Sequence, residues 1–375
     1  MIYLDYSANT PVDEAVLQRF CEVERNCPGN ANSRHAAGTA AKAAIDAATQ
    51  SIARSLNVQP AEIIYTSGAS EANNFAIKSI ARLERHHGRH IISTPLEHSS
   101  VSGSLTALQE QGYEIDLVDI RQDGTVDLAH LKKLLRPDTI LVAVTAVDSE
   151  LGVVQPVQEI AEILKDHPHC HLHVDATQAV GKIPVSFEGV DTMSLTAHKF
   201  YGLNGIGLLL KRRNLALEPL IHGGESTTIY RSGTPTVALA SSLALALELA
   251  VEQLPQRTAA VRDANAFLRA ELAKYPKVRI NSPENAIPHI LNLSVQDVKG
   301  TVFQRELNEE GVCVSVKSAC SSDGLPSRAV FAVSRDRRNA LSSWRVSLSH
   351  QTTEEDLRGF LAAFDRCYRG LTETK

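Results

Sequence analysis

Three apolar stretches of this sequence end in residues that could do chemistry. Asp175 directly follows the apolar run 170–174, and Lys199 stands just after the run 192–196. The turn 67–71 follows the run 61–66 and precedes a helical pattern. Ligands of open parallel sheets bind at the carboxyl ends of the strands, so these residues are expected to meet. A buried acid requires a cation or a strong donor, and a lysine in a cleft can form a Schiff base.

Together these groups match the requirements of pyridoxal phosphate. Lys199 would hold its aldehyde and Asp175 would keep its ring nitrogen protonated, while backbone N–H groups after the turn 67–71 would hold its phosphate. His98, which follows the predicted strand 90–94, could stack on the ring. Taken singly, each feature has an ordinary explanation, namely an N-cap turn, a structural carboxylate or a solvated lysine. The combination is more specific than its parts.

A cysteine and an arginine near the end of the chain suggest a reactive thiol and a carboxylate-binding group. Cys320 lies among small polar residues and glycine in the segment 317–324, which indicates a loop. An exposed cysteine is a chemical liability, so its presence on a loop indicates reactivity. Arg345 begins a predicted strand and could bind a substrate carboxylate through two hydrogen bonds. A surface ion pair is the alternative explanation for this arginine.

Alternating histidines form a rival constellation. His167, His169, His171 and His173 could place several imidazoles on one face of a strand, as metal ligands require. Pro168 and the polar start of this run indicate that the first two histidines lie in a loop. We therefore interpret them as histidines that flank a buried strand, and the predicted site contains no metal.

The composition excludes several classes of function. The chain has 375 residues, 38 Lys and Arg against 43 Asp and Glu, a net charge of −5 and 5% aromatic residues. Neither nucleic-acid binding nor membrane attachment is expected from these values. The start lacks the basic and apolar regions of a signal peptide, and the most apolar stretch, 237–251, is interrupted by polar residues. We expect a globular, cytoplasmic protein without a disulfide framework.

The hydrophobic pattern predicts two kinds of structure. In the first half of the chain, strand-like and helix-like segments alternate, which is typical of a mostly parallel α/β sheet covered by helices on both faces. The predicted strands there are 61–66, 90–94, 113–118, 139–145, 170–174, 192–196 and 206–211. A long helix over 236–253, closed by Pro255, leads into a smaller α+β region.

Taken in order, these segments resemble the motifs of the cysteine desulfurases of the NifS/IscS type, within the class V aminotransferase group of pyridoxal-phosphate enzymes. The match runs nearly end to end. Its segments are YLDYSA (3–8), NANSRH (30–35), TSGASEANN (66–74), EH (97–98), HVDATQAVGK (173–182), HK (198–199), RSGT (231–234), SAC (318–320) and RVSLSHQTTEEDL (345–357). HVDATQ, HK and SAC are highly specific as a set.

The resemblance implies an α/β architecture, the fold type I of pyridoxal-phosphate-dependent transferases. Its large domain has a mostly parallel, seven-stranded sheet covered by helices, and its smaller C-terminal domain is α+β. We predict that the large cofactor-binding domain spans residues 16–253. Residues 1–15 and 254–375 are predicted to form the small domain, which carries the cysteine loop.

The resemblance also implies a role for each cofactor-binding residue. Lys199 carries pyridoxal phosphate and moves protons, Asp175 pairs with the ring nitrogen, and Gln178 pairs with the ring hydroxyl. His98 stacks on the ring and takes part in proton transfer. The phosphate is held by Ala69, Ser70, Thr196, His198 and, from a second subunit, Thr234. A homodimer with composite active sites is therefore implied.

The implied substrate is L-cysteine. Arg345 binds its carboxylate, and Asn30 and position 148 lie beside it. Cys320 takes the sulfur as a persulfide and leaves L-alanine, in keeping with a mobile thiol that carries sulfur outward. The sulfur then passes to an acceptor protein. Iron–sulfur assembly, tRNA thiolation and other sulfuration pathways use similar donors, and no motif here chooses among them.

Three departures separate the chain from the family pattern. Where the family has an asparagine that faces the ring hydroxyl and the substrate carboxylate, this chain has Asp148. A carboxylate there repels both groups unless it is protonated or turned away, so we expect slower cysteine turnover or a changed substrate preference. The segment 222–231 lacks one arginine of the family motif. The chain also stops soon after its last helix, so contact with an iron–sulfur scaffold is not assumed.

We therefore predict a pyridoxal-phosphate-dependent cysteine desulfurase. One alternative is a class V enzyme that acts on another amino acid, such as a selenocysteine lyase. Asp148 and the altered segment at Thr227 and Thr228 favour this alternative, and Cys320 argues against it. The other alternative is a catalytically weak sulfur-relay partner, in which the fold serves binding.

Overall fold

A computed structural model of the chain describes residues 1–316 and 325–373, along which the elements are numbered. The strands are β1 (Ile2–Tyr3), β2 (Ile63–Thr66), β3 (His90–Ser93), β4 (Glu114–Leu117), β5 (Thr139–Thr145), β6 (His171–Asp175), β7 (Thr192–Thr196), β8 (Gly207–Lys211), β9 (Val278–Ile280), β10 (Ile290–Val295), β11 (Val312–Cys313) and β12 (Ser343–Ser347). The helices are α1 (Glu14–Asn26), α2 (Ala36–Leu56), α3 (Ala69–Glu84), α4 (Ser99–Gln109), α5 (Leu128–Leu134), α6 (Val157–Leu164), α7 (Val237–Glu252), α8 (Leu254–Leu272), α9 (Gly300–Glu309), α10 (Arg328–Ser334), α11 (Arg337–Ser342) and α12 (Glu354–Thr372).

The larger sheet runs in the order β2-β8-β7-β6-β5-β3-β4. Strand β8 is antiparallel to both of its neighbours, and the other neighbouring strands are parallel. Strands β5, β7 and β8 are buried along their whole length, and so is β6 after its first residue. Burial on both faces explains why these strands appear in the sequence as nearly continuous apolar runs. The predicted α/β fold with a mostly parallel sheet is confirmed.

Helices cover the two faces of this sheet with separate apolar layers. One layer joins α2, α6 and α7 to side chains such as Ile63 and Leu208. The other layer joins α3 and α4 to the strand residues that alternate with those of the first layer, such as Ile64 and Leu209. Because successive strand residues point to opposite faces, each strand contributes to both layers.

The strand directions place the ends of six strands at one edge. Strands β2 and β7 are both antiparallel to β8, so they run the same way, and β6, β5, β3 and β4 run parallel to β7. The loops after these strands therefore emerge together. This edge is where an open α/β sheet binds its ligands.

A second core lies beyond the larger sheet. The antiparallel sheet β12-β10-β9 packs with α8, α9 and α12 around Trp344 and Phe364. Leu4 from the start of the chain joins this core, and β1 pairs with β11. The division into residues 16–253 against 1–15 and 254–375 stays a prediction, because Ile287 and Ala329 belong to the larger core.

Pro255 was predicted to close the long helix, and the structure gives it a different place. It stands in the first turn of α8, whose first residue, Leu254, comes almost directly after the end of α7. Proline fits there because the first N–H groups of a helix have no partner within the helix. Helices α1 and α2 were not predicted, and the many alanines of α2 explain the weak hydrophobic pattern.

Within the described ranges, no single helix has both the length and the apolar composition needed to cross a membrane. Only the pair α7 and α8, bent by 66° relative to each other, meets the criterion of length and composition together.

Candidate active site

A cavity of about 320 Å³ opens at the edge where these strands end. This volume is in the range of sites that bind cofactors and other small molecules. The lining residues include Ser7, Ala8, Ser67, Gly68, Ala69, Ser70, Glu71, His98, Thr145, Ser149, Asp175, Thr177, Gln178, Thr196, His198, Lys199 and Arg345. The fold thus brings together most of the residues that were singled out in the sequence.

Lys199 closes a short 3₁₀ turn directly after β7. Its Nζ donates hydrogen bonds to the backbone oxygens of Ser7 at 2.6 Å and Ala8 at 2.7 Å. These two residues belong to the start of the chain, and both line the cavity. The lysine amine therefore lies in the cavity wall, where an aldehyde could reach it.

Asp175 is the last residue of β6 and is 4% exposed. Its Oδ2 accepts a hydrogen bond of 2.8 Å from the Asn73 amide, and its Oδ1 accepts one of 3.0 Å from the Thr177 N–H. A carboxylate can only accept, so the contact fixes the Asn73 amide with its NH₂ group toward Asp175. Asp175 is thereby held at the cavity wall.

Asn73 continues this arrangement toward the core. Its Oδ1 accepts hydrogen bonds from the Ser194 hydroxyl and from Nε2 of His173, the latter at 2.9 Å. The other ring nitrogen, Nδ1, lies 2.9 Å from the Thr192 hydroxyl. Burial lowers the pKa of His173 to about 4, so the ring is neutral and its one proton lies on Nε2. A buried polar chain thus supports Asp175.

Gln178 is oriented by a buried lysine. Lys182 Nζ donates to Gln178 Oε1 at 3.0 Å, and Gln178 Nε2 donates to the Ser7 backbone oxygen at 2.9 Å. Burial lowers the pKa of Lys182 to about 7, and the charges of Lys199 and Arg345 act in the same direction. The oxygen of the Gln178 amide points to Lys182, so the NH₂ group of this amide lies on the cavity side.

The start of α3 forms a cradle of backbone N–H groups. The first N–H groups of a helix have no partner within the helix, and the helix dipole favours an anion beside them. Ala69 and Ser70 supply two of these groups, directly after Gly68. Gly68 has φ +154°, which disfavours any other residue.

Two side chains face this cradle from β7 and the turn that follows it. Thr196 Oγ1 donates to the Ile206 backbone oxygen at 3.1 Å and lies 3.1 Å from His198 Nδ1. Burial lowers the pKa of His198 to about 4, helped by the positive charges of Lys199 and Lys182. A neutral His198 and the Thr196 hydroxyl thus line a region suited to a phosphate group.

His98 caps helix α4 and lines the cavity. Its Nδ1 accepts a hydrogen bond of 3.2 Å from the Ser100 N–H, so the proton of the neutral ring lies on Nε2. Burial lowers the pKa of His98, Asp175 opposes this shift, and Lys199 adds to it. The ring thus lines the cavity, and its stacking role stays a prediction.

Two further acids lie behind the cavity wall. Glu97 is fully buried, and its Oε1 accepts hydrogen bonds from the Thr94 hydroxyl at 2.8 Å and the Thr145 N–H at 2.9 Å. Burial raises its pKa to about 8, and the charges of Asp175 and Asp148 add to the shift. Glu97 is therefore protonated at neutral pH, which relieves the repulsion among the three acids.

Asp148 lies beside the cavity without lining it. Its Oδ2 accepts a short hydrogen bond from the Leu151 N–H, while Val147 and Ser149 on either side contact the cavity. Burial raises the pKa of Asp148 to about 7, the nearby Glu150 adds to the shift, and the Leu151 hydrogen bond opposes it. The Asp148 carboxylate thus faces the backbone of the turn that carries it, and it is partly protonated near neutral pH.

Arg345 reaches the cavity wall from β12 and is 2% exposed. Its guanidinium donates to Asp5 Oδ1 at 3.0 Å and to the Ser149 backbone oxygen at 2.6 Å. Within residues 1–316 and 325–373, its Nε has no hydrogen-bond partner. The alternative of a surface ion pair does not describe this arginine, because its side chain is buried and its ion pair with Asp5 is half-buried.

Besides Asp148, two predicted site residues do not line the cavity, and a third falls outside the described part of the chain. Asn30 is exposed, and its Oδ1 accepts a hydrogen bond of 2.9 Å from the Asn32 N–H. Thr234 is exposed and does not line the cavity of its own chain. Cys320 lies outside the described residues. The roles assigned to these residues stay predictions.

Sequence reasoning missed two polar residues that fix this site. Asn73 lies in the motif TSGASEANN and Lys182 in the motif HVDATQAVGK, but the roles predicted from these motifs fall on other residues. Asn73 comes one helical turn after Ser70, a spacing that could have placed it on the same side of α3. Lys182 follows Gln178 by four residues in the chain, and its contact with the amide depends on the fold.

The chain belongs to the class-V aminotransferase family, which matches residues 2–360. It is 37% identical over 372 residues to the cysteine desulfurase IscS of Dictyoglomus turgidum, an alignment covering 97% of this chain and 94% of that protein.

Solved structures give the same relationship. A NifS-like protein superimposes with a TM-score of 0.93 at 34% identity, covering 99% of this chain and all of that one. A structure described as SspA in complex with cysteine superimposes with a TM-score of 0.83 at 30% identity. That match covers 94% of this chain and 100% of the other. The sequence resemblance to this family and the fold it implies are confirmed.

Replacing Asn73 with alanine should destabilise the folded protein by about 3 kcal/mol. The substitution removes one hydrogen-bond partner from Oδ2 of Asp175, from Nε2 of His173 and from the Ser194 hydroxyl, and each unsatisfied buried group costs about 1–3 kcal/mol. Denaturant unfolding measures the change. Asn74→Ala is the matched control, because the Asn74 amide donates to the Ser70 backbone oxygen of its own helix, and it should cost at most about 1 kcal/mol. Equal losses in the two variants would contradict the assigned network.

Replacing Glu97 with glutamine should make stability less sensitive to pH. Glu97 has a pKa of about 8 in the folded protein against 4.5 ordinarily, so the folded state holds an extra proton between these values. Stability of the unmodified protein therefore falls as pH rises through this window, by up to about 1.4 kcal/mol per pH unit from this group. Unfolding free energies at pH 5, 6, 7 and 8 should favour Glu97→Gln increasingly. A difference that stays constant with pH would refute the assignment.

Proposed function

We propose that this chain is a pyridoxal-phosphate-dependent cysteine desulfurase. It converts L-cysteine to L-alanine and transfers the sulfur to Cys320 as a persulfide, for delivery to an acceptor protein. The observation that carries the proposal is the meeting of Lys199, Asp175 and the start of α3 in one cavity. The relatives named cysteine desulfurase support the same reaction, and they do not favour the alternatives of another amino-acid substrate or a weak sulfur relay.

The cavity fits the cofactor by its donor set. It offers an amine, a buried carboxylate and a helix N-terminus, which match an aldehyde, a protonated ring nitrogen and a phosphate. The hydroxyls of Ser7 and Thr177 are buried beside it without partners in the described part of the chain. Buried polar atoms are rarely left unpaired, so these hydroxyls indicate a polar occupant.

Pyridoxal phosphate supplies an electron sink that labilises bonds at the bound amino acid. In the proposed arrangement, Lys199 would hold the cofactor through its aldehyde and would carry protons to and from the substrate. Asp175 would keep the ring nitrogen protonated, and His98 would contact the ring. The NH₂ group of Gln178, oriented by Lys182, donates to the ring hydroxyl.

The phosphate site of the proposal is formed by uncharged groups. Backbone N–H groups of Ala69 and Ser70, the Thr196 hydroxyl and the His198 ring surround the position described above. A dianion is stabilised by the backbone N–H donors together with the positive end of the helix dipole. The resemblance adds Thr234 from a second subunit.

We place the substrate carboxylate at Arg345, with Asn30 and Asp148 in the substrate region. The guanidinium forms a salt bridge of 3.0 Å to Asp5, and its Nε has no hydrogen-bond partner among the residues that the structure describes. A carboxylate that displaced Asp5 would restore a buried ion pair of the same kind. Bidentate binding by arginine then fixes the orientation of the amino acid.

The reaction also requires a thiol that reaches the substrate. Val316 is the last described residue before Cys320. Ser315, one position earlier, pairs with Arg345 through two backbone hydrogen bonds of 2.6 and 3.2 Å. Cys320 is five residues beyond Ser315, which an extended chain spans in at most about 18 Å. The thiolate takes the sulfur atom, the electron pair of the C–S bond stays with carbon, and carbon gains a proton to give alanine.

We also propose a homodimer. The segment that carries Thr234 exposes large apolar side chains, with Ile229 66% exposed and Leu220 and Ile221 37% and 40% exposed. Exposed apolar residues that cluster in one region favour a protein interface. A cytoplasmic location without nucleic-acid or membrane contacts remains part of the proposal, in keeping with the net charge of −5.

The decisive experiment compares Lys199→Ala and Cys320→Ala with the unmodified enzyme. Alanine and sulfide release from L-cysteine are measured with a reductant, and cofactor content is read from the absorption spectrum. We expect equal amounts of both products from the enzyme and none above background from either variant. Only Lys199→Ala should lose the spectrum of covalently held cofactor. Cys21→Ala is the matched cysteine control and should keep full activity. Bound cofactor with no cysteine turnover in the unmodified protein would refute the desulfurase assignment.

Replacing Asp148 with asparagine should speed cysteine turnover, most strongly above pH 7. The pKa of Asp148 is about 7, so its negative charge and its repulsion of the substrate carboxylate develop above that pH. We expect kcat/KM to rise about three- to tenfold at pH 8.5, which corresponds to about 1 kcal/mol, and to change little at pH 6. Identical kinetics for both proteins at both pH values would exclude a role for this position.

A further inference from the structure

A second cluster of ligand-type side chains lies at the other edge of the sheet. Glu84 is the last residue of α3, His87 follows it in the turn, and His169 precedes β6. One ligand atom from each of these residues lies within 4.8 Å of the other two. Two imidazoles and a carboxylate form a common ligand set for divalent transition metals.

The two imidazole rings are already adjacent. The rings of His87 and His169 stack with their centres 3.9 Å apart and their planes 14° apart. Glu84 Oε2 lies 2.7 Å from His87 Nδ1. Tetrahedral ligands about 2.0–2.1 Å from zinc are separated by about 3.3 Å, so rotation of exposed rings would bring these atoms to coordinating positions. Both histidines are exposed, which leaves room for this rotation.

A partly buried layer behind the cluster orients the carboxylate. Glu84 Oε1 lies 3.3 Å from Nε2 of His171, whose Nδ1 lies 3.5 Å from Asp191. Supporting partners of this kind hold metal ligands in place and increase their affinity.

Backbone contacts fix the turn that carries His87. The N–H groups of His87 and Gly88 donate to the Glu84 backbone oxygen at 2.8 and 3.2 Å. Glu84 and His87 are therefore held at the end of α3, and His169 comes from a separate loop. A metal ion bound by all three would clamp the helix to that loop.

We propose that Glu84, His87 and His169 bind one divalent transition-metal ion that prefers imidazole ligands, with zinc as the principal occupant and water completing its coordination. The site is independent of the proposed reaction. His171 begins β6 and Asp175 ends it, so the two sites lie about 13 Å apart along this strand. The ion acts as a structural clamp rather than as part of the catalytic chemistry.

The test is zinc titration of the holoenzyme by calorimetry, without a histidine tag and in the Cys320→Ser background, which removes the reactive thiol as a competing ligand. We expect one equivalent to bind at micromolar Kd. His87→Ala and His169→Ala should each weaken binding at least tenfold. The controls His86→Ala and His167→Ala, each close in sequence to a proposed ligand, should change the affinity less than twofold.

Cobalt substitution gives a second readout, because the absorption of bound Co²⁺ reports its ligands. We expect a tetrahedral or five-coordinate spectrum without thiolate charge-transfer bands, lost in His87→Ala and His169→Ala. Circular dichroism verifies that these surface variants fold. Millimolar affinity, unchanged binding in both histidine variants or thiolate bands would each overturn the proposal. The cofactor spectrum should be unaffected in every variant, so this result does not depend on the desulfurase assignment.

Discussion

The carboxylate of Asp175, buried where β6 meets the cavity, is the constraint around which this site is organised. A buried carboxylate is unfavourable unless strong donors and a positive partner surround it. The hydrogen bonds that it accepts within the described ranges come from neutral donors, Asn73 and the Thr177 N–H. These contacts hold the carboxylate while leaving its charge to attract a cationic ligand. A protonated pyridine nitrogen is a cation that could pair with this carboxylate.

The same constraint acts on the groups nearby. Burial and the repulsion of Asp175 favour the protonated form of Glu97, and burial favours neutral Lys182 and His198. A low-dielectric site cannot hold many charges of one sign, so its other ionisable groups become neutral. Lys182 then acts as a hydrogen-bond donor to Gln178 rather than as a counter-ion. The polar wall is therefore defined by hydrogen bonds more than by ion pairs.

The strands of the larger sheet were predicted closely because most of them are buried on both faces. Strands β5 and β7 have the predicted bounds, 139–145 and 192–196, and the others differ by one or two residues. Helices α1 and α2 were not predicted, because small residues dominate α2 and the apolar stripe of α1 is narrow. Pro255 was read as the end of a helix, whereas it stands in the first turn of the next one. Local pattern alone does not distinguish these two positions.

The sequence by itself determined which residue types follow each strand, because a buried strand leaves a recognisable apolar run and its end is the next polar residue. It thereby identified Asp175, Lys199 and the turn before α3, as well as the family. Only the tertiary structure decided what those residues contact. Asn73 meets Asp175, which is 102 positions away, and His87 meets His169 at the other sheet edge. Such contacts depend on strand order and helix packing, which bring together residues that are distant in sequence.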